Sequence, residues 1–543
     1  MRTFFHNGRV YTGELPLRSA FAVEDGRFVS TGYEQLLVEA REGDRIIDLD
    51  GRFVCAGFND SHMHLLNFGQ SLHAAQLAPH TESLADMLEC LRAFLEAHPV
   101  REGQWLTGRG WNQDYFTDVS RMPDRHDLDS ISADIPILIT RTCGHCCVVN
   151  SKVLELADIG PDTAAPEGGD IGREDDGQPD GRLFDNAIDL IRPIFPLPDR
   201  EGLKEMIRLA CAALNSYGVT SSQTDDYCVF RSIPFETVNE AYRELEQSGE
   251  LSVRVYEQAN ITELDELERF VADGNVTGSG SDMFRIGPLK LLGDGALGSR
   301  TAHLSRPYLG TEDEYGFNLF SDEHMNAMVS YANAHGMQVA VHAIGDACLD
   351  QVLNAIDLAL RENPRTDHRH GVVHCQVSRP DQLRRIAELG MHVYAQSIFL
   401  DYDNHIVNRL LGPELAESSY SWKTLMNSGV SVSNGSDCPV ELPDVMEGIQ
   451  CAITRTSMDG TGPYLPGEAF TVQEALDSFT VRSAEASFEE NVKGQIREGY
   501  LADFVILDQD PFTVSPEDIH SIRVVSTWLG GSCVYAAEGQ GHA

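Results

Sequence analysis

Apolar and polar positions along the chain change period twice, and the changes divide it into three regions. Up to about residue 54 the pattern is that of short strands separated by turn signals: Phe4–His6, Arg9–Tyr11, Ala20–Val23, Phe28–Thr31 and Arg45–Asp48, with Glu24-Asp25-Gly26 as one of the turns. The last stretch looks alike, with β-rich runs at Ala502–Leu507 and Ile522–Leu529 and a turn at Gly530-Gly531. Between them, short apolar runs alternate with segments of helical period, as in Asp322–His335 and Asp346–Glu362. The runs predicted as strands are Phe53–Asn59, Val219–Thr224, Ser252–Gln258, Phe284–Leu291, Gln338–His342, Gly371–His374, His392–Gln396 and Val430–Asn434. Eight such strands with helices between them give the count of a (β/α)8 TIM-like barrel.

One interval does not fit a single crossover. About 160 residues separate the first two strands, where an αβ connection needs a small fraction of that length. An inserted subdomain is expected there, with the Gly/Asp/Pro-rich run Gly160–Gly181 as a surface loop and Ile135–Thr140 as a buried strand. The expected class is therefore α/β. A small β-sandwich is built from residues 1–54 and 491–543, and the barrel spans 55–490 with an insertion at about 70–215.

Length and charge narrow the classes. The 543 residues exceed what one barrel needs and are ample for a large core. The formal charge of -43 repels nucleic-acid backbones and anionic membranes, so neither is expected as a partner. No apolar run reaches membrane-spanning length, and Met1–Val10 has no apolar signal core. The 12 cysteines are scattered, which suits reduced thiols and a cytoplasmic location. Only five of the 41 basic residues are lysines: Lys152, Lys204, Lys290, Lys423 and Lys493.

The chemistry gathers at strand ends. The first strand closes in Asp60-Ser61-His62-Met63-His64, and residues two apart on a strand share a face, so His62 and His64 can reach one ion from one side. Alone, an HxH pair is equally consistent with ordinary surface or core histidines. His342 and His374 close two later strands, and Asp437 follows the last one in Ser433–Pro439. All five stand at the face where barrel active sites form. Imidazole and carboxylate donors suit Zn, Mn, Ni or Fe. Lys290 ends the fourth strand. An ammonium has no lone pair for a metal, so Lys290 reads either as a buried lysine paired to a carboxylate such as Asp294, or as a neutral amine carboxylated by CO2 to a metal-bridging carbamate.

The order HxH, Lys, His, His, Asp resembles the amidohydrolase superfamily. Ala22–Arg27, Gly57–His64, Gly110–Gln113, Arg141–Lys152, Lys290–Ala302, His342–Asp346, Gly435–Val440 and Gly499–Phe504 resemble amidohydrolase family 3, the YtcJ-like group, over nearly the whole chain. The resemblance implies two divalent metals, expected to be zinc, bridged by a CO2-derived carbamate on Lys290. His62, His64 and Asp437 would hold the more buried ion, and His342 and His374 the second. It implies a hydroxide between the metals that attacks a substrate carbonyl, with Asp437 accepting its proton. It also brings His145 to the pocket as an oxyanion donor. Trp111, His145, Asp294 and Arg300 are the expected substrate-binding residues. Two positions depart from the family pattern: Ala56 replaces its usual proline, and Val373 stands where an acidic residue commonly precedes His374.

The expected function is hydrolysis of an amide-like C–N bond, in an N-acyl or N-formyl amine, a cyclic imide or a urea, by an enzyme whose default assembly is a homodimer. An esterase, lactonase or phosphoester hydrolase on the same site is the alternative. A metal-free interaction protein would lack ligands that this chain retains. A redox role for Cys143 and Cys146 would require a suitable fold or a second CxxC, and the chain has no second one.

Overall fold

The computed structural model describes residues 2–101, 103–141, 146–166 and 168–538. The chain divides into two compact units, Met1–Asn67 with Ala210–Ala543, and Phe68–Leu209.

The larger unit contains eight parallel strands in sequence order: β1 (Phe58–Met63), β2 (Val219–Thr224), β3 (Arg254–Asn260), β4 (Phe284–Leu292), β5 (Val339–Ala343), β6 (Gly371–His374), β7 (His392–Ala395) and β8 (Val432–Asn434). They are buried along nearly their whole length, as strands covered on both faces must be. The last strand returns to the first through main-chain bonds just beyond it. Asp437 N–H donates to His62 O at 2.9 Å and His64 N–H donates to Cys438 O at 2.8 Å. The sheet is thereby a nearly closed barrel.

Helices between the strands follow from their apolar spacing and their ends. In Phe235–Ser248 the buried residues Phe235, Val238, Tyr242 and Leu245 recur every three or four positions, and Gly249 ends the helix at φ 74°. In Asp322–Ala334 the Ser321 side chain caps the first turn by accepting from His324 N–H.

The expected strand Phe53–Asn59 divides at Gly57. Phe53–Ala56 pairs antiparallel with Phe504–Leu507, whereas Phe58–Met63 opens the barrel. The hydrogen bonds show why: Gly57 N–H donates to Asp503 O and Phe58 N–H to Gly218 O, so the partner changes within one residue. A Cβ at Gly57 would lie 2.2 Å from Thr220 Oγ1, and only glycine permits this approach.

Strands from both ends of the chain form two further sheets. One joins Thr3–His6, Ala20–Glu24, Arg27–Gly32 and Arg45–Asp48; the other joins Arg9–Val10, Phe53–Ala56, Phe504–Leu507, Val524–Leu529 and Ser532–Ala536. They share one core of Phe5, Phe21, Phe28, Val54, Phe504 and Trp528. A buried ion pair ties the second of these sheets to the barrel: Asp503 accepts from Arg254 Nε at 2.6 Å and Nη2 at 2.9 Å.

The unit Phe68–Leu209 holds a six-stranded mixed sheet and the helix Leu84–Ala97. The Gly160–Gly181 run is not simply a loop: Gly169–Arg173 and Pro179–Asp185 pair as a hairpin, because Ile171 and Leu183 face each other in the core and Gly177 turns at φ 85°. Among the described residues no helix is long and apolar enough to cross a membrane.

Candidate metal centre

The C-terminal ends of the barrel strands bring the expected ligands together in two groups. His62, at the end of β1, and His64 both face Asp437. His62 Nε2 lies 3.4 Å and His64 Nε2 2.9 Å from Asp437 Oδ1. A donor atom from each of the three falls within 4.8 Å of the others. The second group is a pair of rings: His374 lies edge-on to His342 at 4.5 Å, and to His62 at 5.7 Å. His342 Nε2 is 3.1 Å from Gly295 O and 3.3 Å from Asp294 Oδ1.

The imidazoles are oriented from behind. Gln258 Oε1 lies 2.8 Å from His62 Nδ1, while the Gln258 amide donates to Ser61 O at 3.1 Å, which fixes the amide's orientation. Nδ1 of His62 is therefore the protonated nitrogen, and Nε2 presents its lone pair on the side of Asp437. Gln396 Oε1 stands 2.7 Å from His374 Nδ1, in the corresponding place behind that ring. Val373 lies in an apolar cluster with Ala340, Tyr394 and Ala486, so His374 is supported by glutamine rather than by an acid. The nitrogen and oxygen donors and the presented Nε2 atoms fit a divalent metal of the zinc type.

Backbone geometry places the remaining ligands. His374 and Asp437 have φ of 75° and 58°, left-handed values that cost a non-glycine residue about 1–3 kcal/mol each and are retained at functional sites. The Asp437 turn is anchored by Asp60, whose carboxylate accepts from Ser436 Oγ at 2.5 Å and Ser436 N–H at 3.1 Å, and from His62 N–H at 3.2 Å. Burial raises the Asp60 carboxyl to about 7 against these donors.

Lys290, 1% exposed, is paired not with Asp294 but with Asp225, at 3.2 Å. Asp225 follows directly on β2 and also contacts His64 Nδ1. Burial would raise Asp225, but His64 and Lys290 hold it well below the usual carboxylate range. Asp437 is likewise held low: burial opposes this, and His64 dominates. Burial opposes protonation of His64, yet Asp225 and Asp437 on its two sides raise it well above the ordinary histidine value. Burial, with Lys290 nearby, lowers His62 to about 3; burial, with His342, lowers His374 in the same direction.

Three of the four expected substrate-binding residues lie among the described residues, in different surroundings. Asp294 is buried and accepts from the backbone N–H groups of His303, Ile344 and Gly345, which organises the loops beyond β4 and β5. Arg300 pairs with Glu314 at an exposed position. Trp111 is fully buried in the core of the Phe68–Leu209 unit with Leu77, Met87 and Ile139. His145 lies outside the described residues, as does Cys143. Sequence reasoning missed Asp60, Asp225, Gln258 and Gln396. Asp225 was findable, because the rule that singled out the histidines, a polar residue just past a barrel strand, applies equally to Thr224-Asp225.

A model of the amidohydrolase family matches residues 45–535. YtcJ of Bacillus subtilis (strain 168), named as an amidohydrolase, is 32% identical over 98% of this chain and 99% of its own length. An N-substituted formamide deformylase of Arthrobacter pascens is 26% identical over 98% of each chain. A metal-dependent hydrolase from Pyrococcus furiosus superposes with a TM-score of 0.77 at 29% identity, covering 94% of this chain and 100% of its own. A match of this extent, on a barrel whose strand ends hold His62, His64, Lys290, His342, His374 and Asp437, makes the chain a member of the amidohydrolase family, a hydrolase.

Proposed function

We propose that this hydrolase is metal-dependent and cleaves an amide-like C–N bond of a small molecule, an N-formyl or N-acyl amine in the first instance. The observation behind this reading is the convergence of His62 Nε2, His64 Nε2 and Asp437 Oδ1 at the barrel mouth, with Gln258 fixing the His62 ring from behind. The full-length similarity to a formamide deformylase supports the choice of bond.

His62, His64 and Asp437 would hold one divalent metal, His342 and His374 would hold a second, and Lys290, carboxylated by CO2, would add oxygen donors. Zinc is the proposed ion. When bound, such metals polarise a carbonyl oxygen and lower the pKa of water, so that a nucleophile is available near neutrality. The chain's own residues do the rest. Asp437 accepts the proton of the attacking water at a carboxylate oxygen. The water oxygen joins the carbonyl carbon, the C–N bond breaks, and Asp437 delivers the proton to the departing nitrogen. The products are a carboxylic acid and an amine. His145 is the proposed donor to the developing oxyanion. Scattered cysteines in a strongly acidic chain support a cytoplasmic setting.

The test is a panel of N-formyl amines, N-acyl amines, cyclic imides, ureas, esters and lactones, assayed with zinc-loaded and chelator-stripped protein. Metal-dependent turnover of the amide members, abolished in Asp437→Asn, is expected. Turnover confined to esters or lactones would overturn the choice of bond, and equal turnover after stripping would overturn the metal dependence.

A further inference from the structure

Asp225 is buried to 0% exposure between two side chains that the proposed metal centre requires. One of its oxygens faces His64 Nδ1 and the other lies 3.2 Å from Lys290 Nζ. Its own N–H donates to Met63 O at 3.3 Å, which fastens the end of β2 to the residue preceding His64. The two carboxylate oxygens therefore face different elements, one the histidine just past β1 and one the β4 lysine.

The two nitrogens of His64 point to different carboxylates. Nε2 faces Asp437, and Nδ1 faces Asp225. The two ring nitrogens of an imidazole point in divergent directions, so the ion shared with Asp437 and His62 meets only Nε2. The group on the Nδ1 side is then a hydrogen-bond acceptor. His62 has a neutral glutamine in that place, and His374 another. His64 alone of these three has a carboxylate behind it. A carboxylate accepting from Nδ1–H fixes the ring, fixes the tautomer and makes Nε2 the stronger donor.

We propose that Asp225 is a positioning residue of the metal centre: it orients His64 through Nδ1 and sets the place of Lys290, without itself binding the ion. This rests on the metal-dependent reading above. Cys228 stands on the same side and, with His64 and Asp225, offers a second convergent set of donors. Direct ligation by that set is the competing arrangement, and the test separates the two.

The experiment uses the full chain with zinc alone as the probe, reading zinc per chain and the zinc dissociation constant by chelator competition. The variants are Asp225→Asn and Asp225→Ala, with Asp225→Ala/Lys290→Met added because Asp225→Ala takes away the partner of buried Lys290, and with Lys290→Met as the reference for that double variant because Lys290 itself belongs to the proposed centre. Melting temperatures of the stripped proteins show whether each variant folds. Asparagine keeps an oxygen that accepts from Nδ1–H, whereas alanine does not. The expected result is zinc affinity close to the parent's in Asp225→Asn and about 10–100-fold weaker in Asp225→Ala than in the parent, with a loss of the same size in the double variant relative to Lys290→Met, as for a group behind a ligating histidine. A merely structural role would move the melting temperature and leave the asparagine and alanine variants alike in affinity. Parental affinity in the folded alanine variants would overturn the proposal, as would loss in Asp225→Asn as complete as in Asp225→Ala, since that marks a direct ligand. No zinc bound by the parent would instead bring down the metal-dependent reading itself.

Discussion

Replacing Gly435 with alanine is expected to damage the metal site through the backbone alone. Gly435 directly follows β8, where the barrel closes on β1. A Cβ there would lie 2.6 Å from His62 N, 2.6 Å from Asp60 Oδ1 and 2.8 Å from His62 O. Two of these three atoms belong to the main chain of β1 and cannot swing aside. Restoring ordinary contact at 3.4 Å requires β8 to move by about 0.8 Å. That shift strains the closing bonds, Asp437 N–H to His62 O and His64 N–H to Cys438 O, each contributing about 1 kcal/mol. Overpacking of a tight site itself costs about 1–3 kcal/mol. The variant should therefore be roughly 2–4 kcal/mol less stable, while Asp437 is carried away from His62 and His64. A displacement approaching 1 Å at a catalytic group costs about 100-fold in turnover. The assay is urea denaturation of the stripped protein beside zinc affinity and kcat. A Gly435→Ala variant with parental stability and zinc affinity would refute the argument that β1–β8 closure places Asp437.

Further expectations follow from groups away from this turn. Asp503→Ala leaves Arg254 as a buried cation without its carboxylate and should cost about 3–5 kcal/mol, read by urea denaturation; Asp503→Asn, which keeps an acceptor for the guanidinium, should cost less. Burial, aided by Arg369 and Arg482, lowers His392 to about 3. The unfolded chain then takes up more protons below the ordinary histidine value of 6.5. The stability is present in full above that value and is lost progressively as the pH falls toward 3, by about 2 kcal/mol between pH 7 and pH 5. Replacement by a neutral residue, His392→Gln, should flatten the pH dependence of unfolding free energy by that amount; an unchanged slope would contradict burial of neutral His392. Ser436→Ala removes the hydroxyl donor to Asp60 and should weaken zinc binding with little loss of stability, since the Ser436 backbone donor remains.

What could be read from the amino-acid sequence depended on whether the deciding physics was local. β2 to β8 announce themselves because strands buried on both faces are short apolar runs, and their predicted positions differ from the observed ones by a few residues. The division at Gly57 is not local. Phe53–Asn59 is one apolar run, and only the change of partner from Asp503 to Gly218 divides it. The Gly169–Asp185 hairpin was masked by glycine and aspartate, and its pairing is held by the buried pair Ile171 and Leu183. At the site, histidines and an aspartate after apolar runs were conspicuous. Asp225 stands beside a second acid, Asp226, which hides it among ordinary polar turn residues. Gln258 and Gln396 gave no signal, since a neutral amide acquires its role only from the imidazole it faces. Trp111 illustrates the converse: a tryptophan in a motif drew attention as a pocket residue, and its ring lies in the core of its own unit.

The central claim is that the strand ends of this barrel hold catalytic metal, and the most direct measurement is metal per chain by plasma mass spectrometry. The protein would be made with added zinc and bicarbonate, beside Lys290→Ala and His62→Ala/His64→Ala. About two metals per parent chain, as a binuclear hydrolytic site requires, with fewer in Lys290→Ala and fewest in the double histidine variant, is the predicted result. A parent chain that binds no metal after reconstitution with zinc or manganese would contradict the account.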